Sequence, residues 1–304
     1  MQHVLKLRDL PGEAIDSIVR RALEIKNAGD LSWRPLQGRG MLLLFEKTST
    51  RTSLSFQSAM AQLGGYSVVL NWRESNFAIS PIRYEIRYAS RNCDLVMARL
   101  ITHASLRELA QYSSVPVING CDERYHPSQA LADFMTILEV SGRLAGNTLC
   151  YAGVRNNVSN SLLEGCLALG VRLLLVTPVE RPDAVDAELD DLARKSGLVE
   201  WRDSLADAAK EADFVYTDTW IDMEHFDSPA YADEKQRRIE LMAPFQVNAK
   251  NLAGADPWIM HDMPIHPGYE ISEDAVESPK SIIFQQSENR MHAEKALVLH
   301  LLGM

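Results

Sequence analysis

Short apolar runs alternate with longer amphipathic ones along the whole chain. Residues 41–45 (Met41-Leu42-Leu43-Leu44-Phe45) are apolar without a break and show no helical period, the pattern of a strand buried in a parallel sheet. Leu54, Phe56, Ala59, Met60 and Leu63 then recur at helical spacing until Gly64-Gly65 stops the run. Strands are also predicted at 66–70, 95–99 and 115–120, helices at 11–28, 83–92 and 106–112, and a polar, aromatic-dotted loop at 71–82. A long helix runs from 130 to about 140, after which a second series begins, with strands at 148–153, 173–176, 214–217 and 258–260. Its helices include 161–169 and the acidic run 183–195, and a last amphipathic segment spans 291–302. Strict alternation of strand and helix predicts an α/β chain with two doubly wound parallel sheets, each covered by helices on both faces.

At 304 residues the chain suits two domains with full cores. An apolar content of 46% and a charged content of 24% are those of a soluble globular protein. No run approaches the roughly 20 apolar residues of a membrane span, and the N-terminus lacks the apolar core of a secretory signal. Cys93, Cys121, Cys150 and Cys166 show neither metal-ligand spacing nor a disulfide framework. They read as reduced residues of a cytoplasmic protein, with Cys93, Cys150 and Cys166 expected in the core. A net charge of −10 argues against nucleic acid as a partner, so an anionic substrate would need a local basic cluster. Gly153 before a helix suggests a dinucleotide fold, but Gly153-Val154-Arg155-Asn156-Asn157 lacks the further glycines, and NAD is set aside.

The turn 46–50 lies at the carboxyl end of a predicted strand and at the start of a helix, where α/β sheets bind ligands and unpaired N–H groups favour a phosphate. Ser49, Thr50 and Thr52 add hydroxyls, and Arg51 a guanidinium able to grip two phosphate oxygens. The same residues also make an ordinary helix N-cap, and the turn by itself does not decide between the two.

Wider sequence context does. Phe45-Glu46-Lys47-Thr48-Ser49-Thr50-Arg51-Thr52 resembles the carbamoyl phosphate motif of the aspartate and ornithine carbamoyltransferases. Further matches follow in family order: Met97-Ala98-Arg99, His126-Pro127-Ser128-Gln129, Asn156-Asn157-Val158-Ser159-Asn160-Ser161, Thr217-Asp218-Thr219-Trp220, Met260-His261-Asp262-Met263-Pro264 and Glu288-Asn289-Arg290. The resemblance implies a carbamoyl phosphate-binding domain at 1–140 and an acceptor-binding domain at 141–286. It also implies a long helix joining the two domains and a C-terminal helix, 287–304, that packs back on the first. Carbamoyl phosphate is then expected on Ser49, Thr50, Arg51, Thr52, Arg99, His126, Gln129 and Arg290. Arg99 would span phosphate and carbonyl, His126 would donate to the carbonyl oxygen, and Gln129 would face the carbamoyl amine. No cofactor and no metal are implied. A homotrimer is, with the loop 71–83 of one subunit reaching the site of the next.

For the acceptor, the ornithine branch implies Asn160 for the carboxylate and Asp218 for the α-amine, with Asp222, Met223, Asp262 and Met263 lining the pocket. Arginines suited to aspartate are missing from these stretches, as is the proline-rich insertion of the knotted acetyl- and succinylornithine enzymes. Several positions depart from the family pattern: Ser53 stands for a second arginine, Asp222 for a serine, and Asp262, expected to be catalytic with Arg99 and His126, for a cysteine. Glu74, Phe77 and Arg83 occupy or adjoin usual polar positions of the loop. Two added carboxylates favour a cationic acceptor but hold its amine protonated. Asp222 could equally face solvent. The expected reaction carbamoylates ornithine or a close basic analogue. Rivals are another amine, such as a diamine, or a non-catalytic paralogue that binds the ligand.

Overall fold

The structure is a computed structural model that describes residues 2–304 apart from 222–225 and 227. Asp222 and Met223 therefore lie outside the described residues. The chain forms two compact units, Met1–Val140 with Glu288–Met304 (unit 1) and Ser141–Ser287 (unit 2).

Unit 1 contains α1 (Gly12–Ala28), β1 (Gly40–Phe45), α2 (Thr50–Gln62), β2 (Tyr66–Asn71), α3 (Ile82–Ala89), β3 (Leu95–Arg99), α4 (His103–Tyr112) and β4 (Val117–Asn119). Helix α5 (Pro127–Ser141) carries the chain out of it. All strand pairs are parallel, in the order β2-β1-β3-β4. β1 is central and wholly buried, its Leu43 flanked by Val69 of β2 and Met97 of β3. Leu42 and Leu44 join Val96, Ala98, Leu106 and Leu109 in one apolar cluster. Because the chain runs from β1 to β2 and then returns to β3 on the other side, the order reverses between β1 and β3. That reversal opens a crevice at their carboxyl ends.

Unit 2 contains β5 (Thr148–Arg155), α6 (Asn157–Leu169), β6 (Arg172–Glu180), α7 (Ala187–Ser196), β7 (Val199–Trp201), α8 (Leu205–Glu211), β8 (Phe214–Thr217), α9 (Ala232–Met242), β9 (Trp258–His261) and α10 (Glu273–Val276). Helix α11 (Ile283–Leu301) then leads back to unit 1. Its sheet, β7-β6-β5-β8-β9, is also parallel throughout, with the reversal between β5 and β8.

The architecture is the one the alternation predicts, with local differences. β7, only three residues with one glutamate, was too short to register as a strand. β6 continues to Glu180, beyond its apolar stretch. The acidic run resolves into a turn at Pro182–Ala184 and a helix beginning after Asp186, whose side chain accepts from the Leu189 N–H at 3.1 Å. α11 starts at Ile283 rather than 291, because the polar run 285–289 hides its first turns. Cys150 and Cys166 are buried, as is Cys121, whereas Cys93, expected in the core, is only half-buried.

Leu43→Ala should destabilise the protein by about 2–5 kcal/mol, the range for emptying a buried leucine site. Urea denaturation followed by circular dichroism measures this, and an unchanged midpoint would contradict the central position of β1.

Candidate active site

In unit 1 the reversal gathers residues from three distant stretches. The turn after β1 is tied to the turn after β3, since Glu46 N–H donates to the Arg99 carbonyl at 2.9 Å and Ile101 N–H to the Glu46 carboxylate at 2.8 Å. Ser49 caps α2, accepting from Thr52 N–H at 3.2 Å. The N-cap and phosphate readings are therefore compatible. Thr50 is exposed and Arg51 half-buried in the first turn, while Thr52 is fully buried. Its Oγ1 accepts from Arg290 Nη2 at 2.8 Å and from Arg99 Nη1 at 3.4 Å. Arg99 also donates to the Gly120 carbonyl at 3.3 Å. The Nε–H groups of both arginines are buried and find no partner among the described residues. Buried donors of this kind are rare in folded proteins and are commonly met by an ordered water or an ion. Arg290 lies two turns into α11, not near its start.

His126 precedes α5 and is buried, with Nδ1 3.5 Å from Ser128 Oγ. Burial first, and then the charges of Arg290, Arg99, Arg51 and Lys47, hold its pKa well below the usual histidine value. The imidazole is therefore neutral at neutral pH. Gln129 donates to Asp133 at 2.8 Å, which leaves its buried Oε1 with no partner among the described residues. Beside the α2 N-terminus lies an open depression of about 530 Å³, lined in part by Ser49, Thr50, Ser53 and Gln57. Ser53, in place of an arginine, accepts from Gln57 Nε2 at 2.9 Å. Within 71–83, Phe77 is buried against Trp72, with ring centroids 5.2 Å apart, so it is committed to the core of its own unit.

In unit 2 the corresponding crevice is acidic. Asn156, at the end of β5, caps α6 by accepting from Val158 N–H at 3.0 Å and Ser159 N–H at 3.1 Å. Its Nδ2 donates to Asp218 at the end of β8, at 2.6 Å, and Thr219 N–H donates to the other Asp218 oxygen at 2.6 Å. Asp262 follows β9 and is nearly buried. Burial raises the Tyr151 phenol well above its ordinary pKa, and the charges of Asp218 and Asp262 add to the effect, so both carboxylates bear on one buried hydroxyl. Met263 takes a left-handed φ of 63°, costly for a non-glycine residue. Its N–H donates to His261 Nδ1 at 2.8 Å, and His261 Nε2 lies 3.1 Å from the buried Glu270. Burial opposes ionisation of Glu270, but hydrogen bonds from His261 and His266 outweigh it and hold the carboxyl at about 2.

Asn160 is not brought to this cluster. It is buried one turn along α6, about 6 Å up the axis from Asn156. There its Oδ1 accepts from Arg155 Nε at 3.0 Å and its Nδ2 donates to the Ala184 carbonyl at 2.7 Å. The asparagine that meets Asp218 is Asn156, and Asn157 stands half-buried beside it in the first turn of α6. Both lie in the Asn-Asn-Val-Ser stretch, whose N-capping character was the available signal.

Comparison with known proteins accords with this geometry. The model of the carbamoyl-P binding domain of aspartate/ornithine carbamoyltransferases matches residues 2–139, and that of the Asp/Orn binding domain matches 145–301. The chain is 37% identical to an ornithine carbamoyltransferase of Thermococcus kodakarensis, over 99% of this chain and 96% of that protein. It is 36% identical to the chloroplastic ornithine carbamoyltransferase of Pisum sativum, over 100% of this chain and 81% of the other. Among solved structures, ornithine carbamoyltransferase from Pyrococcus furiosus superposes with a TM-score of 0.91 at 35% identity, covering 99% and 97% of the two chains. Two family models that together span nearly the whole chain, with relatives well above 30% identity, establish that the chain belongs to the aspartate/ornithine carbamoyltransferase family.

Proposed function

We propose that the protein transfers the carbamoyl group of carbamoyl phosphate to the side-chain amine of ornithine or a close basic analogue, giving a citrulline-type product and phosphate. The observation that carries this reading is the pair of guanidinium groups, Arg99 and Arg290, anchored on the Thr52 hydroxyl at the α2 N-terminus with buried N–H groups unspent. A phosphate dianion seated there would satisfy those donors and the first-turn amides together.

The chemistry follows from that placement. With Ser128 Oγ 3.5 Å from Nδ1, neutral His126 in its Nε2–H tautomer would donate to the carbamoyl carbonyl oxygen as charge develops on it. Gln129 Oε1 suits the carbamoyl NH₂. A C–N bond forms as the amine attacks, the C–O bond to phosphorus breaks, and phosphate leaves on the cationic cluster carrying the amine's proton. Asp218 and Asp262 attract a cationic acceptor in unit 2, but the amine must lose a proton from a reference pKa of about 10.4 before it attacks.

One observation favours a second acceptor. Asn160, expected to hold the acceptor's carboxylate, has both ends of its amide engaged within the fold. A diamine has no carboxylate and needs no such partner, whereas ornithine would rely on Asn157 and the α6 N-terminus. Phosphate release from carbamoyl phosphate with ornithine, lysine and 1,4-diaminobutane separates these readings. Binding without release for every amine would overturn the transferase reading.

A homotrimer fits the surface of unit 1. β2 is an edge strand, and its adjacent Val68 and Val69, which point to opposite faces, are both exposed, so each face is left partly open. Free cysteines at all four positions fit a reducing cytoplasm.

Arg99→Ala should weaken carbamoyl phosphate binding roughly tenfold to hundredfold, for a charge-assisted hydrogen bond of about 1.5–3 kcal/mol. Calorimetry on the folded variant measures this, and parental affinity would remove Arg99 from the site. Asp262 at about 4 Å from an ammonium gains on the order of 4 kcal/mol at an effective dielectric near 20, largely offset by desolvation. Asp262→Cys should therefore shift preference away from the more cationic acceptors and move the activity optimum to lower pH. The parent's acceptor ranking and pH profile in that variant would make Asp262 a bystander. Val68→Glu should convert a sedimenting trimer to smaller species, and a parent that sediments as a fully active monomer would exclude shared sites.

A further inference from the structure

Glu294 takes no part in the chemistry above, yet it sits beside the anion site. It lies on α11 four residues after Arg290, so the two side chains share one helix face. Its Oε1 accepts from Ser55 Oγ of α2 at 2.9 Å, one turn beyond the place where Arg290 donates to Thr52 at 2.8 Å. α2 and α11 are thus joined by two rungs, Thr52–Arg290 and Ser55–Glu294. The carboxyl is fully buried and its Oε2 has no partner among the described residues.

We propose that Glu294 is a positioning residue that holds Arg290 in its anion-binding pose and also acts as an internal rival to the bound phosphate, so that phosphate binds the form in which Glu294 is protonated. This rests on reading the α2 N-terminus as a phosphate site. An ionised carboxylate one turn from Arg290 would partly neutralise the guanidinium that the phosphate needs and would repel the dianion. A protonated carboxyl keeps the rung to Ser55 without that competing charge. Burial raises the Glu294 carboxyl to about 8, against the lowering effects of Arg290 and of the Ser55 hydrogen bond, so its protonation changes within reach of ordinary assay conditions. Arg290 is the charged group that bears on it from α11, and α2 supplies the Ser55 hydroxyl. Phosphate and proton binding are then linked: occupancy of the site holds the proton on Glu294, and loss of that proton weakens occupancy.

Calorimetric titration of the full chain with inorganic phosphate between pH 7 and 10 tests this. Inorganic phosphate loses its second proton near neutrality, so it is mostly dianion and keeps a nearly constant charge above about 8. The parent should lose affinity by up to about tenfold per pH unit above about 8, the slope of a single linked proton. Glu294→Gln keeps the shape and an acceptor for Ser55 but cannot ionise, and its slope should vanish. Ser55→Ala removes a hydrogen bond that favours the carboxylate, so the fall should begin at higher pH. A flat parent profile, a Glu294→Gln protein with the parent's slope, or a Ser55→Ala onset that stays put or moves down would each overturn the proposal alone. A parent that binds no phosphate at pH 7 would overturn the anion-site reading, and this proposal with it.

Discussion

Two guanidinium groups share one buried hydroxyl, and the arrangement of unit 1 follows from that contact. Thr52 arrives on the first turn of α2, Arg99 on the end of β3, and Arg290 on α11, 238 positions further along the chain than Thr52. Burying Arg290 fully and Arg99 in part, with so little compensation, is costly in a low-dielectric interior. A hydroxyl offers two lone pairs but no charge, so it can orient both arginines without neutralising either. What remains is a directed positive field at a helix N-terminus, in a chain whose net charge is −10.

The same sheet logic is used twice with opposite sign. In each unit the central strand has its sequential neighbour on one side and a later strand on the other, and polar side chains collect where the order reverses. Unit 1 places arginines and a histidine kept neutral by burial and neighbouring cations there. Unit 2 places Asp218 and Asp262, with Asn156 bracing the first. Parallel strands leave their carboxyl ends to loops and helix starts, so the chemistry can change without disturbing the apolar runs beneath.

Those apolar runs are why most of the fold was legible. Met41 to Phe45, or Leu173 to Val176, can hardly be anything but buried strand, and the intervening amphipathic stretches fix the helices. Legibility failed where tertiary contacts rather than periodicity decide. Val199-Glu200-Trp201 is a strand only because β6 lies beside it, pairing Leu174 with Glu200. The first turns of α11 carry glutamines, a serine and a glutamate, and one of those glutamines, Gln286, is buried and accepts from His261 N–H at 2.9 Å. In the candidate site, motif order brought Thr52, Arg99, His126 and Arg290 into view together. It did not separate Asn156 from Asn160, since four residues along a helix keep the face but change the height. Glu294 escaped notice because nothing in sequence distinguishes a buried glutamate on an amphipathic helix from an exposed one.

Unit 1 is discontinuous, closed by residues 288–304 after the whole of unit 2 has intervened. Synthesis is directional, so the emerging chain can build the β2-β1-β3-β4 sheet and present the α2 N-terminus while Arg290 is still untranslated. During that interval Thr52 and Ser55 lack both of their α11 partners, and the segment of unit 1 that α11 will cover is open to solvent. The cationic cluster is thus among the last features a ribosome can complete, and any product truncated before residue 290 lacks half of the guanidinium pair however well its sheets are formed.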